Sequence, residues 1–273
     1  MSFLFFLKLL SIILILLWGC LLKKVFSFAV MPLHIILLVL LSYISNDWIN
    51  TYIVAPYIVP YTSINTYISS YLFNGIMGAL FASLLLIVCS RGLALKPTYQ
   101  ELDFRFSTFR KSFRAILIFV IVFMIIYIFF GTLAAKQHLF DYSFQFPLTI
   151  SNILRWFLFQ LLISGLEEIF FRCFVILLLF KLWDQMFTKP NYLQMAVIIA
   201  STLIFAARHI GFLLYPFQIT YFVPLHLLVV SVLGIFLGIL FIKTRSFWAV
   251  YAAHGFINGC IFAFLLVLNK TLS

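Results

Sequence analysis

Long apolar stretches recur from one end of the chain to the other, and they constrain the fold more than any other feature. Hydrophobic residues make up 65% of the 273 residues and charged residues only 9%, whereas about a quarter of the residues in soluble domains are charged. A water-soluble fold of this length has too small an interior to bury so many large apolar side chains. A lipid bilayer is therefore the solvent that this sequence fits.

The apolar stretches have the length of membrane-spanning helices. A helix needs about 20 mostly apolar residues to cross the hydrocarbon core, and its backbone groups are satisfied within the segment. The short alternating segments of a membrane β-barrel do not occur in the sequence. We therefore predict an all-α polytopic membrane protein with about eight transmembrane helices. The predicted segments are 3–22, 25–45, 67–90, 115–135, 149–180, 191–209, 218–242 and 246–268.

The positive charges lie mainly between these segments. A net charge of +11 would suggest nucleic-acid binding in a soluble protein, but here the distribution is typical of a topology signal, and we expect no nucleic-acid partner. If the connector 91–114 is cytoplasmic, the cytoplasmic loops hold twelve Lys and Arg residues, and the outer loops and C-terminus hold two. The count predicts a multi-pass protein of the cell membrane with basic loops in the cytoplasm and both termini outside.

Ionisable residues inside the predicted segments are concentrated in the second half of the chain. A charge at the bilayer centre costs at least about 2.5–3.5 kcal/mol, so such residues are candidates for function. The N-terminal membrane helices over 1–145, about four in number, offer almost none of these candidates, whereas the second half of the chain, again of about four helices, holds most of them.

The fifth segment contains two adjacent carboxylates, Glu167 and Glu168, followed by Arg172. Glu168 and Arg172 are four residues apart, so they share a helix face and can form an ion pair. Glu167 points about 100° away around the helix and is left free for chemistry. The alternative is a fully paired charge cluster that only locks helices together.

Two later segments contribute histidines and an asparagine. His209 ends the sixth segment, directly after Arg208, and Arg208 can either extend to the membrane interface or contact a substrate. His254 and Asn258 lie one turn apart on one helix face, where they can donate hydrogen bonds to one oxygen, as in an oxyanion site, or clamp two helices together. For His226, in the seventh segment, we expect a packing or lining role.

This polar set fits the activation of a water molecule, and the sequence excludes several other intramembrane protease chemistries. It contains no His-Glu-x-x-His zinc motif, and no aspartate falls within a predicted segment. The Gly-x-Ser-Gly motif of rhomboid-type serine proteases is also missing, because Leu162 stands where its first glycine would be. A hydrolase based on glutamate and histidine, with or without a metal, remains.

Three short motifs occur in order on three predicted helices, and together they form a specific signal. They are Glu167-Glu168-x-x-x-Arg172, Phe205-x-x-x-His209 and His254-x-x-x-Asn258. In this respect the chain resembles the CPBP family of CAAX proteases and bacteriocin-processing enzymes, also called the Abi family, over about residues 148–268. The sequence departs from the family pattern at Cys173, where a glycine often follows the arginine, and at Arg208, where the residue is usually apolar.

The resemblance implies an intramembrane endopeptidase acting on a membrane-associated peptide or protein. It implies Glu167 as the general base for the attacking water, His209 as a residue that holds this water or a metal, and His254 and Asn258 as stabilisers of the oxyanion. Glu168 and Arg172 would support them. A zinc ion held by Glu167, His209 and His254 and a metal-free glutamate mechanism both fit the family.

Two other functions compete with the protease. A non-catalytic immunity or chaperone-like membrane protein could keep the motif residues as a polar clamp, although the intact Glu167 argues against it. A transporter could use Glu167 and Glu168 to carry protons or cations, but the broken helices repeated in two halves that this predicts have no counterpart in the sequence.

Overall fold

The computed structural model describes residues 30–62, 64–92, 106–139, 142–214 and 217–272. It is 84% helical, which confirms the all-α class. The first predicted segment, 3–22, lies outside the described residues. The helices are α1 (Val30–Ile49), α2 (Thr66–Gly92), α3 (Phe106–Lys136), α4 (Ile150–Leu158), α5 (Leu177–Trp183), α6 (Pro190–Ala207), α7 (Pro224–Thr244) and α8 (Phe247–Leu272).

Five of these helices, α2, α3, α6, α7 and α8, are long and apolar enough to cross a membrane, and α1 has a shorter apolar stretch over Val30–Tyr43. Many large apolar side chains on their surfaces are exposed, as on α3, where Ile125 is 64% and Phe129 60% accessible. Such surfaces are stable in contact with lipid chains rather than water. The chain is a multi-pass membrane protein.

The fifth predicted segment is helical but not uniform. Thr149 caps α4 by accepting a hydrogen bond from the backbone N–H of Asn152. Between α4 and α5 lies an irregular segment, residues 159–176, which consists of π-helical turns at Phe159–Ile163, a 3₁₀ turn at Ser164–Glu167 and further π-helical turns at Ile169–Ile176. Wide turns of this kind are rare and often occur at functional sites. Sequence periodicity alone predicts a regular helix here.

The largest buried core surrounds the irregular segment and α5, which pack against α1, α2, α6, α7 and α8. Trp183, at the end of α5, is fully buried, and its indole N–H donates a 3.1 Å hydrogen bond to Nδ1 of His34 in α1. The N-terminal helices therefore share one core with the second half of the chain.

A β-hairpin interrupts the helices between α6 and α7. Strands β1 (Gly211–Leu214) and β2 (Phe217–Tyr221) pair antiparallel. The prediction that the seventh membrane segment starts at residue 218 was therefore wrong, because α7 begins only at Pro224, whose fixed φ suits the first turn of a helix.

Close contact between α8 and the irregular segment depends on two glycines. A Cβ at Gly165 would meet the backbone oxygen of Tyr251 at 2.5 Å, and a Cβ at Gly255 would overlap the backbone oxygen of Leu161. The Tyr251 hydroxyl donates a 2.6 Å hydrogen bond to the Leu162 carbonyl across the same contact. This approach brings the start of the third motif against the first.

Candidate active site

A buried charged network joins the first and third motifs. Oε2 of Glu168 lies 2.8 Å from Nε of Arg172, and Oε1 lies 2.7 Å from Nδ1 of His254. Glu168 and Arg172 are fully buried and His254 is 3% accessible. The predicted Glu168–Arg172 ion pair is present, and the Glu168–His254 contact is one that the sequence did not indicate.

The contact with Glu168 fixes the orientation of the His254 ring. An ionised carboxylate only accepts hydrogen bonds, so Nδ1 of His254 carries the proton of this contact. Carboxylates that bind one nitrogen of a functional histidine commonly set its tautomer and aim its other nitrogen. The Nε2 atom of His254 is therefore the one available to a reacting group.

Arg172 connects this network to α6. Its Nη1 donates a 3.0 Å hydrogen bond to Oγ of the fully buried Ser201, and its guanidinium lies over the ring of Phe205, 5.1 Å from the centroid. A cation over an aromatic face is electrostatically stabilised, more so when both groups are removed from water. Arg172 therefore ties the irregular segment to the helix that carries the second motif.

Glu167 has surroundings opposite to those of its neighbour. Its side chain is accessible to solvent but has protein around it on most sides, and within the described ranges it makes no hydrogen bond or ion pair. The His254 ring and the Arg208 guanidinium lie close enough to act electrostatically on its carboxylate. The two adjacent carboxylates diverge as expected, with one paired in the core and the other accessible.

His209 lies in the turn that follows α6. Its Nδ1 is 2.8 Å from the backbone oxygen of Phe205, and a carbonyl oxygen only accepts, so Nδ1 carries the proton and Nε2 of the neutral ring is an acceptor. The side chain is half-buried. An acceptor at this position can hold a water molecule.

The phenylalanine of the second motif organises the histidines. The Phe205 ring is buried, and its centroid lies 4.8 Å from that of His209 and 5.8 Å from that of His254. Both ring pairs are edge-to-face, which is a favourable aromatic geometry. The second and third motifs therefore meet through Phe205, and the Phe-x-x-x-His spacing places ring and imidazole one turn apart.

His226, near the start of α7, also lies at the site. Its ring centroid is 5.4 Å from that of His209 and 6.1 Å from that of Tyr221 in β2. In the sequence, only the position of His226 in a predicted membrane segment suggested a packing or lining role. The hairpin that brings Tyr221 beside it leaves no clear signal in the sequence, so this proximity could not be predicted.

Asn258 lies one turn beyond His254 on α8 and is half-buried. Its amide makes no hydrogen bond with other residues in the described part of the chain. It shares a helix face with His254, but no direct bond joins it to the other motif residues.

The N-terminal helices also reach the site. Tyr43 in α1 is 3% accessible. The guanidinium of Arg208 lies over its ring, 5.3 Å from the centroid. Its hydroxyl lies against the backbone oxygens of Ala207 and Ile210, which flank that arginine and His209, and can donate its single proton to one of them. A helix outside the three motifs thus holds the turn that bears His209.

The expected zinc ligands do not form a metal site in this arrangement. In the part of the chain that the structure describes, no three His, Cys, Asp or Glu side chains are grouped so that they could hold one ion. Glu167, His209 and His254 belong to this part. The residues present do not fit a three-ligand zinc centre, which needs three protein ligands at about 2.0–2.2 Å from the metal.

Comparison with known proteins agrees with the motif analysis. Residues 149–260 match the family model described as Type II CAAX prenyl endopeptidase Rce1-like. The match contains all three motifs. No curated protein and no solved structure matches the chain significantly. Over residues 149–260 the chain is therefore similar to this family of endopeptidases, which supports the expected resemblance to CPBP-type intramembrane proteases.

Proposed function

We propose that this protein is an intramembrane endopeptidase that hydrolyses a peptide bond of a membrane-associated protein or peptide with water activated by Glu167. The observation that carries the proposal is the divergence of two neighbouring carboxylates. Glu168 is buried and neutralised by Arg172, whereas Glu167 is accessible and unpaired beside an oriented histidine. A purely structural charge cluster would leave neither carboxylate free.

In this mechanism Glu167 takes a proton from the attacking water, and the Nε2 acceptor of His209 helps to hold that water. A positioned general base contributes about 10²–10⁴-fold to a rate. Glu167 then returns the proton to the leaving amine as the peptide bond breaks. His226, beside the ring of His209, limits the positions that this ring can take.

Charge that develops on the carbonyl oxygen needs hydrogen-bond donors. His254, with Nδ1 bound to Glu168, and the amide of Asn258, one turn further on, supply them. In this role Nε2 of His254 also carries a proton. Fixed donors of this kind stabilise a transition state because they need no reorganisation as the charge forms.

The ligand geometry favours a metal-free form of this reaction, since Glu167, His209 and His254 are not grouped around one point. The residues 148–268 form the catalytic membrane core and 1–145 the supporting helices, with Tyr43 as their contribution to the site. The basic loops face the cytoplasm and both termini face outward, in accordance with the charge asymmetry. The substrate reaches the site from the bilayer or its surface.

The test is cleavage by the purified full chain in proteoliposomes, with fluorogenic membrane-anchored peptides as substrates. Glu167→Gln keeps the shape of the side chain and removes the base, so the rate of cleavage should fall at least about 100-fold. Because Glu167 makes no hydrogen bond or ion pair within the described residues, the variant should unfold close to the temperature of the parent protein. Arg155→Ala, an exposed change in the same domain away from the site, serves as the control.

Undiminished cleavage by Glu167→Gln would overturn the proposal. A phenotype in cells that survives this substitution would instead support a non-catalytic immunity or chaperone-like role. Proton or cation flux without cleavage, lost in the same variant, would support a transporter.

A further inference from the structure

Arg208 is the residue at the site that the proposed mechanism does not use. It follows the last residue of α6 and precedes His209, where the resembled family usually has an apolar residue. From the sequence, the Arg208 side chain can either extend to the membrane interface or contact a substrate. In the structure its guanidinium lies over the ring of the buried Tyr43, 5.3 Å from the centroid.

The backbone around Arg208 is held firmly. Its N–H donates to the carbonyl of Ile204 at 3.2 Å, and the N–H of Ile210 donates to that of Ala207 at 3.0 Å. The Tyr43 hydroxyl contacts the carbonyl oxygens of Ala207 and Ile210 as well and can donate its proton to one of them. The same tyrosine therefore fixes the main chain on both sides of Arg208 and supports its side chain.

Among the described residues, none neutralises the charge of Arg208 by an ion pair. The described part of the chain gives it no ion pair and no side-chain hydrogen bond. Arg208 acts electrostatically on the carboxylate of Glu167 without forming a bond with it. Glu168, the other carboxylate of the site, is already bound to Arg172 and His254.

A half-buried guanidinium with free donors is suited to bind an anion. Its planar fork matches a carboxylate, which it binds through two parallel hydrogen bonds. The attraction is stronger in a site with little water than in bulk solvent. The position next to His209 puts such an anion within a few residues of the bond that the water activated by Glu167 would attack.

We propose that Arg208, supported by Tyr43, binds a carboxylate of the peptide substrate close to the cleaved bond and so acts as a specificity-determining residue. The proposal rests on the proposed endopeptidase function. The carboxylate can be the free C-terminus of the peptide or an Asp or Glu side chain. Either source would make peptides with that charge better substrates than their neutral isosteres.

The experiment compares matched peptides with the full chain in proteoliposomes. One pair has a C-terminal acid or a C-terminal amide, and further pairs replace single Glu residues by Gln, and Asp by Asn, on each side of the cleaved bond. A charge-assisted bidentate contact should favour the charged peptide of one pair by about 10–100-fold in kcat/KM. The pair that shows the preference identifies the source of the carboxylate.

Arg208→Ala should abolish this preference by slowing only the charged peptide, and Arg208→Lys should restore part of it, because an ammonium keeps the charge without the fork. Arg155→Ala is the matched control and should leave the preference intact. Tyr43→Phe keeps the ring under the guanidinium but loses the hydroxyl contact with the turn, and should retain most of the preference, whereas Tyr43→Leu should lose it. An equal loss for charged and neutral peptides in Arg208→Ala would overturn the proposal.

Two further measurements separate this proposal from the proposed function. The first is binding of the charged and neutral peptides to the parent protein and to Arg208→Ala, which needs no cleavage. If nothing is cleaved but the charged peptide binds tighter only when Arg208 is present, the proposed endopeptidase function is wrong and the proposed carboxylate site is supported.

The second measurement compares vesicles of zwitterionic lipid with vesicles containing anionic lipid. An effect of Arg208→Ala that follows the lipid charge and not the peptide charge would show an interfacial arginine and overturn the proposal.

Discussion

His254 and Glu168 are 86 positions apart in the chain, yet Nδ1 of the histidine lies 2.7 Å from Oε1 of the glutamate in the buried interior. The other oxygen of Glu168 faces Arg172. One carboxylate therefore neutralises a buried cation and orients a candidate catalytic histidine. Its structural and catalytic contributions can be separated by mutation.

Glu168→Gln should both destabilise the protein and reduce cleavage. The substitution leaves the Arg172 charge buried without compensation, and removal of one partner of a buried pair costs about 3–5 kcal/mol. It also removes the acceptor charge that fixes the His254 ring. Thermal or denaturant unfolding in detergent, together with the cleavage rate, measures both effects.

The double variant Glu168→Gln with Arg172→Met is the control. Replacing both members of a buried pair is much less costly than removing one, so the double variant should be more stable than the single one. Cleavage should stay low because His254 remains unoriented. Recovery of activity with stability would contradict the orienting role of Glu168.

His226→Phe should slow the reaction without weakening the fold. The substitution keeps a ring beside His209 and Tyr221 but changes its shape and polarity, and a small misplacement of a catalytic group costs up to about 100-fold. We expect kcat to fall and KM to change little, the pattern of a group that acts in the transition state. Steady-state kinetics with one peptide measure the split.

His138, exposed just after α3, is the control histidine for His226. Its φ is 54°, and asparagine adopts this left-handed conformation more readily than most residues, so we replace it by asparagine. His138→Asn should leave both kinetic constants at the parent values. If His226→Phe behaved like His138→Asn, the neighbourhood of His209 and His226 would have no part in the reaction.

The sequence predicted the membrane helices and the Glu168–Arg172 pair because both follow from helical spacing and lipid solvation. It could not predict that Glu168 binds His254, since a contact between distant helices depends on packing, here on the close approach at Gly165 and Gly255. The wide turns of the irregular segment could not be predicted from the sequence either, because their residues are as apolar as those of a regular helix. The β-hairpin and the role of Tyr43 likewise come from tertiary packing alone.

Metal chelation should leave the rate of cleavage within about twofold of the untreated value. The reason is the ligand geometry, because a zinc protease of the expected kind needs three ligands around one ion, and the described residues supply no such group. Proteoliposomes dialysed against a strong chelator and assayed with the fluorogenic peptide provide the measurement. Loss of activity on chelation, restored by added zinc, would contradict the metal-free mechanism.

Gly255→Ala should disrupt the site through its scaffold. The added methyl group would overlap the backbone oxygen of Leu161, and backbone cannot move aside as a flexible side chain can. Overpacking typically costs about 1–3 kcal/mol, and the separation of α8 from the irregular segment would also lengthen the His254–Glu168 contact.

Gly78→Ala is the control, since a Cβ at Gly78 meets nothing within 4 Å. The Gly255 variant should therefore unfold at a lower temperature in detergent and lose activity, whereas the Gly78 variant should match or exceed the parent stability, because alanine is the better helix former by roughly 1 kcal/mol. Equal unfolding temperatures for the two variants would show that α8 does not depend on this close approach.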